Sequence, residues 1–207
     1  MVVTGNHWND DTDLNDLTKP RQGEILRSSQ DNVQRCDDLT VDFPNGIEEA
    51  TGVLLHDKYH TICGGHDSRY VRNSNCYVFT GQSWEHLVSM TEERSASASI
   101  GLNSSSIWVT GGFNGNRLSS TEIIKISGDG RLENAEMGPS LPERSVGHCL
   151  VALTETTTMA LGSWFDKRTH IYDWASSQWT KGPRLNKGNY RGYPGCGHLK
   201  DTSTGKE

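Results

Sequence analysis

The chain has 207 residues, of which 33% are hydrophobic and 22 are glycine. This suits one domain, or part of a larger one, with many turns. The net charge of −6, with Lys and Arg scattered, argues against a nucleic-acid partner. No run approaches the roughly 18 apolar residues of a membrane helix, so membrane insertion is not expected. Residues 1–8 lack the basic segment and apolar core of a signal peptide.

Short strand-like runs that end in glycine recur along the chain. They end at Gly5 in VVTGN, at Gly64 and Gly65 in HTICGGHD, at Gly111 and Gly112 in WVTGGFNG, and at Gly162 in MALGSWFD, where a serine follows. Glycine accepts positive φ and lets neighbouring backbone come close. The interval of about 50 residues indicates an array of structural repeats.

Further strands follow each glycine turn. CYVFTGQSW and HIYDWASSQW each lead to a tryptophan, Trp84 and Trp179, whereas EIIKISGDG does not. An apolar residue and an arginine then precede another strand, and these arginines are Arg94, Arg144 and Arg191. Each unit is therefore predicted to form four short strands. Helices are not predicted, since no window shows apolar residues at the helical period. Such sheets must stack to bury both faces, with tryptophan and another aromatic residue between them.

This combination of a glycine pair, an aromatic residue, a tryptophan and an arginine resembles the kelch repeat of β-propellers, in the superfamily of galactose oxidase. The resemblance implies an all-β fold of about four blades, each of four antiparallel strands. The blades would lie at roughly 1–45, 46–91, 92–142 and 143–188, with 189–207 as the first strand of the next or closing blade. The residues expected to hold the repeats together are Gly64, Gly65, Gly111, Gly112, Gly162, Trp84, Trp179, Arg94, Arg144 and Arg191.

The resemblance also bears on closure of the ring. Kelch rings commonly have six blades, so the chain is expected to form a partial ring whose partners include the remaining blades. The alternative is a closed four-bladed ring, in which the C-terminal strand pairs with Val2 and Val3. The first repeat has a single glycine, a long loop and no matching tryptophan, and these departures favour the partial ring.

The resemblance implies a binding module rather than an enzyme, with another protein as its partner, contacted through loops on one rim of the scaffold. The loops after the glycines carry aromatic residues and arginines, the types enriched at interface hot spots. The candidate binding residues are Tyr70, Arg72, Phe113, Asn114, Arg117, Trp164 and Arg168. The alternative is a carbohydrate-binding or copper-oxidase-like propeller that uses the same face.

No metal site, cofactor or catalytic residue is predicted. Copper chemistry of the galactose-oxidase type needs tyrosines and histidines that converge on one ion, whereas the eight histidines here are dispersed along the chain. The acidic run at residues 9–16 begins like a calcium loop, but Asp16 stands at its glycine position and Gln22 at its final glutamate.

The five cysteines contain no Cys-x-x-Cys pair. Cys63 and Cys76 flank one glycine-turn hairpin, so they are expected either to pair as a disulfide or to remain two buried thiols. A disulfide would imply an oxidising compartment. The cysteine placement also resembles that of kelch-like domains in extracellular invertebrate proteins, which favours an extracellular location over a cytoplasmic one. Asn103 begins an Asn-Ser-Ser glycosylation sequence in a predicted turn.

Overall fold

The computed structural model describes residues 2–4, 24–29, 32–35, 48–163 and 166–185, the first three stretches as strand backbone only. In these residues every regular element is a β-strand. Strands β1 (Val2–Thr4), β2 (Glu24–Ser29) and β3 (Asn32–Arg35) form an antiparallel sheet in chain order. This N-terminal sheet has three strands in the described part of the chain, where the sequence predicted four.

Three four-stranded antiparallel sheets follow, each a meander whose strands pair in chain order. Sheet I consists of β4 (Thr51–Leu55), β5 (Tyr59–Cys63), β6 (Asn75–Phe79) and β7 (Trp84–Ser89). Sheet II consists of β8 (Ala98–Asn103), β9 (Ser106–Thr110), β10 (Thr121–Ile126) and β11 (Leu132–Met137). Sheet III consists of β12 (Cys149–Ala152), β13 (Thr157–Ser163), β14 (Asp166–Asp173) and β15 (Gln178–Lys181). The predicted all-β class and the four-stranded antiparallel sheets are thereby confirmed.

Sheet II lies between two apolar clusters, one on each face. Alternate residues of its strands face opposite sides, as the pleat requires. Ile107 and Ile124 pack toward sheet I, where Leu55 is fully buried. Trp108 packs toward sheet III, against Tyr172. Strand β9 of sheet II is therefore covered on both faces by neighbouring sheets and is buried along its whole length, whereas β11 is exposed.

An aromatic cluster fills the layer between sheets II and III. The ring of Trp108 is 5.9 Å from those of Tyr172 and Trp179, and 4.9 Å from that of Trp174. Trp179 is thus an inter-sheet residue, as the repeat pattern suggested. Trp84 packs on Phe79 of sheet I, with ring centroids 5.4 Å apart.

The first strands of the three sheets lie side by side. The N–H of Ala96 donates to Glu49 O at 3.0 Å, and the N–H of Gly147 donates to Ala96 O at 2.9 Å. These three residues occupy equivalent positions just before β4, β8 and β12, and all have positive φ, of 57°, 52° and 61° respectively. Thr51 Oγ1 and Ser99 Oγ, 2.7 Å apart, add a further link between β4 and β8.

The glycine pairs lie where the end of one sheet contacts the segment that leads into the next sheet. Gly64, Gly65, Gly111 and Gly112 all have positive φ. A Cβ on Gly64 would lie 2.3 Å from Arg94 O, and one on Gly111 would lie 2.6 Å from a backbone oxygen of the next unit. Any other residue would therefore force the sheets apart, which is why glycine recurs at this step.

Candidate functional site

The loops that follow the glycines lie at one end of the sheets, together with the segments that lead into β8 and β12. The N–H of Gly65 donates to Arg94 O, and Leu118 pairs with Ser145 in an isolated bridge, so each loop contacts the entry of the next sheet. We call this end the loop face, and it comprises residues 64–74, 90–97, 111–120, 138–148 and 182–185.

Two of the predicted binding residues meet across neighbouring loops. The guanidinium carbon of Arg72 lies 4.7 Å from the ring centroid of Phe113. Both side chains are half-buried. A cation–π contact of this kind contributes about 0.5–2 kcal/mol, depending on how far it is shielded from water. It fixes the loop at 64–74 to the loop at 111–120 and forms an aromatic and cationic surface from two separate repeats.

Tyr70 and Val71 form the exposed tip of the first loop, with 67% and 60% of their surface accessible. Asp67 Oδ1 accepts the N–H of Arg69 at 2.8 Å and that of Val71 at 2.9 Å. The hydrogen bond from Val71, followed by those from Arg69, holds the pKa of Asp67 below its ordinary value. The carboxylate thus braces the turn that presents Tyr70.

His66 lies beneath this tip and is 5% exposed. Its Nδ1 is 2.8 Å from Asp67 O, its Nε2 is 3.6 Å from a carboxylate oxygen of Glu49, and its ring centroid is 5.0 Å from that of Tyr70. These contacts give the histidine a structural place at the base of the loop. In the described part of the chain, no group of three or more His, Cys, Asp or Glu side chains is placed to hold a metal ion.

The other candidate residues are distributed along the same end. Asn114 is half-buried and its Oδ1 accepts the N–H of Asn116, while Arg117 is exposed. Arg168 lies near the start of β14 and forms a bidentate ion pair with Glu143. Trp164 and the repeat arginine Arg191 fall outside the described residues.

Arg94 is fully buried at the junction of sheets I and II. Its Nη1 donates to Gly111 O at 2.9 Å and Ser120 O at 3.0 Å. Its Nη2 lies 3.0 Å from a carboxylate oxygen of Glu122 and 3.3 Å from one of Glu92. Burial of a charge is tolerated because carbonyls and carboxylates surround it. Glu122, which is 3% exposed, was not among the residues singled out from the sequence.

Arg144 does not repeat this arrangement. The N–H of Gly112 donates to Ser145 O, just as that of Gly65 donates to Arg94 O, so Ser145 occupies the position of Arg94. Arg144 is one residue earlier and exposed. The sequence signal was the spacing: Arg94 is four residues after Met90, whereas Arg144 is three after Leu141. Arg144 therefore does not share the structural role of Arg94, contrary to the expectation from the repeat pattern.

A small cavity lies where the third sheet lacks the arginine. It measures about 30 Å³, room for about two water molecules. Its polar walls include Arg144, Ser145, Arg168 and His170, and Gly162 also lines it. His170 is paired with Ala160 in sheet III as Glu122 is paired with Val109 in sheet II, so a histidine replaces the buried carboxylate.

Arginines are concentrated at the loop face. Of the arginines whose side chains the structure describes, only Arg131 lies at the opposite end, in the turn between β10 and β11. The others, at or beside the loop face, are Arg69, Arg72, Arg94, Arg117, Arg144, Arg168 and Arg184. The loop face as defined carries six arginines and four acidic residues, Asp67, Glu92, Glu93 and Glu143, so its formal charge is +2.

The predicted cysteine pair is bonded in the structure. Cys63 and Cys76 face each other on β5 and β6, with Sγ atoms 2.05 Å apart. Thr110 faces Thr121 in sheet II, and Leu161 faces Thr169 in sheet III, at equivalent places. The disulfide thus replaces an ordinary cross-strand pair directly beneath the glycines, where the loop with Tyr70 begins.

No family model matches this chain, and no curated protein matches it in sequence. Chains of solved structures do match, among them the protein of "Structure of YjhT", with a TM-score of 0.65 and 10% identity. The match covers 82% of this chain and 64% of that chain, so this chain spans less than two thirds of the length of that structure. At this identity the similarity concerns the fold alone. In the described residues, no helix is long and apolar enough to span a membrane.

Proposed function

We propose that sheets I to III are blades of a kelch-type β-propeller whose loop face binds another protein. The arrangement of the first strands supports the propeller, because backbone bonds from Gly147 to Ala96 and from Ala96 to Glu49 keep the inner edges of the sheets together. The repeated glycine pairs at these inner junctions support it as well. Stacked antiparallel sheets with consecutive strand order are the construction of propeller blades.

The observation that carries the binding proposal is the surface formed by Arg72, Phe113, Tyr70 and Val71. Aromatic residues and arginine are enriched at the centres of interfaces, where a few side chains supply most of the binding energy. Tyr70 and Val71 are exposed on a braced turn, and the Arg72–Phe113 contact connects that turn to the next loop.

The test compares loop-face variants with a matched control from another surface. Tyr70→Asn and Phe113→Ala remove the central aromatic groups, and asparagine suits the positive φ of 60° at Tyr70. The control is Leu132→Asn with Met137→Asn, which removes apolar groups that are 41% and 54% exposed on β11. All variants are first compared by thermal unfolding, so that a folding defect is not mistaken for a binding defect.

Proteins that co-purify with the tagged chain are then compared across the variants. The loop-face double variant should lose a partner that the β11 control retains, with affinity reduced by about 30-fold or more, as expected for hot-spot residues. Retention by the loop-face variant and loss by the control would place binding elsewhere. Saturable binding on a glycan array, or stoichiometric copper in the purified chain, would instead support the carbohydrate-binding or copper-oxidase alternative.

A further inference from the structure

We propose that Asn103 is an N-glycosylation site, in the hairpin turn between β8 and β9 at the end of the sheets opposite the loop face. Asn103, Ser104 and Ser105 form an Asn-x-Ser acceptor sequence. Many such sequences occur by chance in proteins. The proposal therefore rests on the geometry of this turn and on the disulfide in sheet I.

The side chain of Asn103 presents its reactive nitrogen to solvent. The residue is exposed, and its Oδ1 accepts hydrogen bonds from Ser105 N at 2.8 Å and Ser105 Oγ at 3.0 Å. Among the described residues, no hydrogen bond engages Nδ2 of Asn103. The hydroxyl that the acceptor sequence requires therefore contacts the reacting carboxamide, while the nitrogen that receives the sugar stays available.

The backbone of this turn is held by contacts that a glycan would leave intact. Ser104 O accepts the N–H of His56 at 2.5 Å, from the turn between β4 and β5, and Ser105 O accepts the N–H of Ile126 at 2.9 Å, from the end of β10. These bonds fix the turn through its carbonyls, whereas the side chain of Asn103 is exposed. A bulky, solvated group on Nδ2 is compatible with the folded state.

The disulfide in sheet I supports passage through the compartment where glycosylation takes place. Cys63 and Cys76 are bonded in the structure, and structural disulfides form in the oxidising secretory pathway. The transfer requires an oligosaccharide carried on a lipid diphosphate as co-reactant. Nδ2 forms a bond to the sugar C1, the bond from C1 to the diphosphate oxygen breaks, Nδ2 loses a proton, and the lipid diphosphate leaves.

The placement of the glycan is independent of the proposed binding function but compatible with it. The β8–β9 turn lies at the opposite end of sheet II from the loops that carry Tyr70 and Phe113. A glycan there would cover the turns near His56 and Ile126, whose N–H groups donate hydrogen bonds to the β8–β9 turn. The loop face would remain uncovered.

The test expresses the full chain behind a cleavable secretion signal in eukaryotic cells, followed by intact-mass analysis and peptide mapping with and without peptide N-glycosidase. We expect one glycan, at Asn103, removed by the enzyme with aspartate left in its place. Asn103→Gln and Ser105→Ala should abolish it, while Ser105→Thr should retain it because threonine also supplies the hydroxyl. Asn116→Gln, which alters an exposed asparagine outside any acceptor sequence, should leave it unchanged.

Unmodified Asn103 in secreted, folded protein would overturn the proposal. If the cells retain the chain, the same peptide map is made on material from the endoplasmic reticulum, where unmodified Asn103 would overturn it equally. Mapping without reduction is done on the same samples. Recovery of Cys63 and Cys76 as free thiols beside an occupied Asn103 would show that the disulfide was not valid support, while leaving the glycan established.

Discussion

Sheets II and III present the same place in the fold with different chemistry. In sheet II, the buried guanidinium of Arg94 lies between two backbone carbonyls and the carboxylate of Glu122. In sheet III, Ser145 and His170 occupy the two positions, and a small cavity lined by Arg144 and Arg168 replaces the long side chain. One backbone geometry therefore accommodates a buried ion pair in one repeat and a partly exposed one in the next.

The difference shows which features the two repeats share and which features belong to one sheet alone. The backbone oxygens of Arg94 and Ser145 accept equivalent N–H groups, from Gly65 and Gly112, at 2.6 and 2.8 Å. That bond and the glycines it needs recur, whereas the side chain at the position does not. We infer that the arginine contributes to the stability of sheet II itself and that the repeat can be built without it.

The largest effect is expected from Arg94→Met. The substitution leaves the carboxylate of Glu122, 3% exposed, without its cation, and it removes the hydrogen bonds that Gly111 O and Ser120 O accept from the guanidinium. Breaking a buried ion pair by removing one partner costs about 3–5 kcal/mol of unfolding free energy. Denaturant unfolding of the chain measures the loss.

Arg144→Met is the matched control, since Arg144 is exposed and should change stability by no more than about 0.5 kcal/mol. Adding Glu122→Gln to Arg94→Met should recover part of the loss, because a neutral amide needs no cation. Equal effects of the two arginine substitutions would contradict the comparison between the sheets.

The repeats could be predicted from the sequence because glycine pairs and strand lengths are local properties. The position of Arg144 was mistaken because the pattern aligned arginine with arginine, whereas the backbone bond to Gly112 fixes Ser145 there instead. Only the spacing to Leu141, one residue short, signalled the difference. The burial of Arg94 depends on Glu122, 28 residues later on another strand, and no local pattern reveals such a partner.

A second effect should appear as a pH dependence of stability in sheet III. His148 is 5% exposed, its Nε2 lies 2.7 Å from Thr110 Oγ1, and burial lowers its pKa to about 4. The Thr110 hydroxyl also lies 3.3 Å from Ala98 O, and Nδ1 of His148 has no partner among the described residues. The charged form would need a second acceptor, which this surrounding does not offer.

The unfolded state therefore binds the proton more readily than the folded state between an ordinary pKa of about 6.5 and about 4. Stability from this group is fully present above pH 6.5 and is lost as the pH falls toward 4, by about 3 kcal/mol in all. His148→Ser copies the equivalent Ser97 of sheet II and should remove this slope, whatever its effect at neutral pH. If the unfolding free energies of the two proteins change with pH in parallel, His148 is not the source of the pH dependence.

The residue types of the candidate site could be predicted from the sequence, but their arrangement could not. Aromatic residues and arginines after glycine turns identified Tyr70, Arg72 and Phe113 as candidates. The contact between Arg72 and Phe113 depends on how two loops from different repeats lie against each other. Val71, exposed beside Tyr70, was missed, since nothing in the sequence distinguishes a loop valine at a tip from a strand valine.

A third experiment transfers the chemistry of sheet II into sheet III. Ser145→Arg alone places a cation in the cavity beside Arg168 and His170 and should destabilise the chain. Adding His170→Glu restores the carboxylate that Glu122 supplies in sheet II. The double variant should be more stable than the sum of the single effects by about 1–3 kcal/mol, as for directly contacting pairs. Additivity within about 0.5 kcal/mol would show that the two positions do not face each other as their equivalents do.

The smallest effect is expected at the ion pair of sheet III itself. Arg168 and Glu143 form a bidentate pair, but their side chains are 55% and 34% exposed. Water screens such a pair, and ordering two long side chains offsets part of the attraction, so its contribution should be about 0.5–1 kcal/mol. The bidentate geometry favours the upper part of that range.

A double-mutant cycle of Arg168→Gln and Glu143→Gln isolates this term from other contacts of the two residues. We expect a coupling energy several times smaller than the cost of Arg94→Met, and one that decreases further in high salt because the pair is accessible to ions. The matching salt titration of the Arg94–Glu122 pair should be nearly flat, since both groups are buried. If the coupling between Arg168 and Glu143 is as large and as salt-insensitive as that of the buried pair, the two ion pairs stabilise their sheets equally. That result would contradict the comparison between sheets II and III.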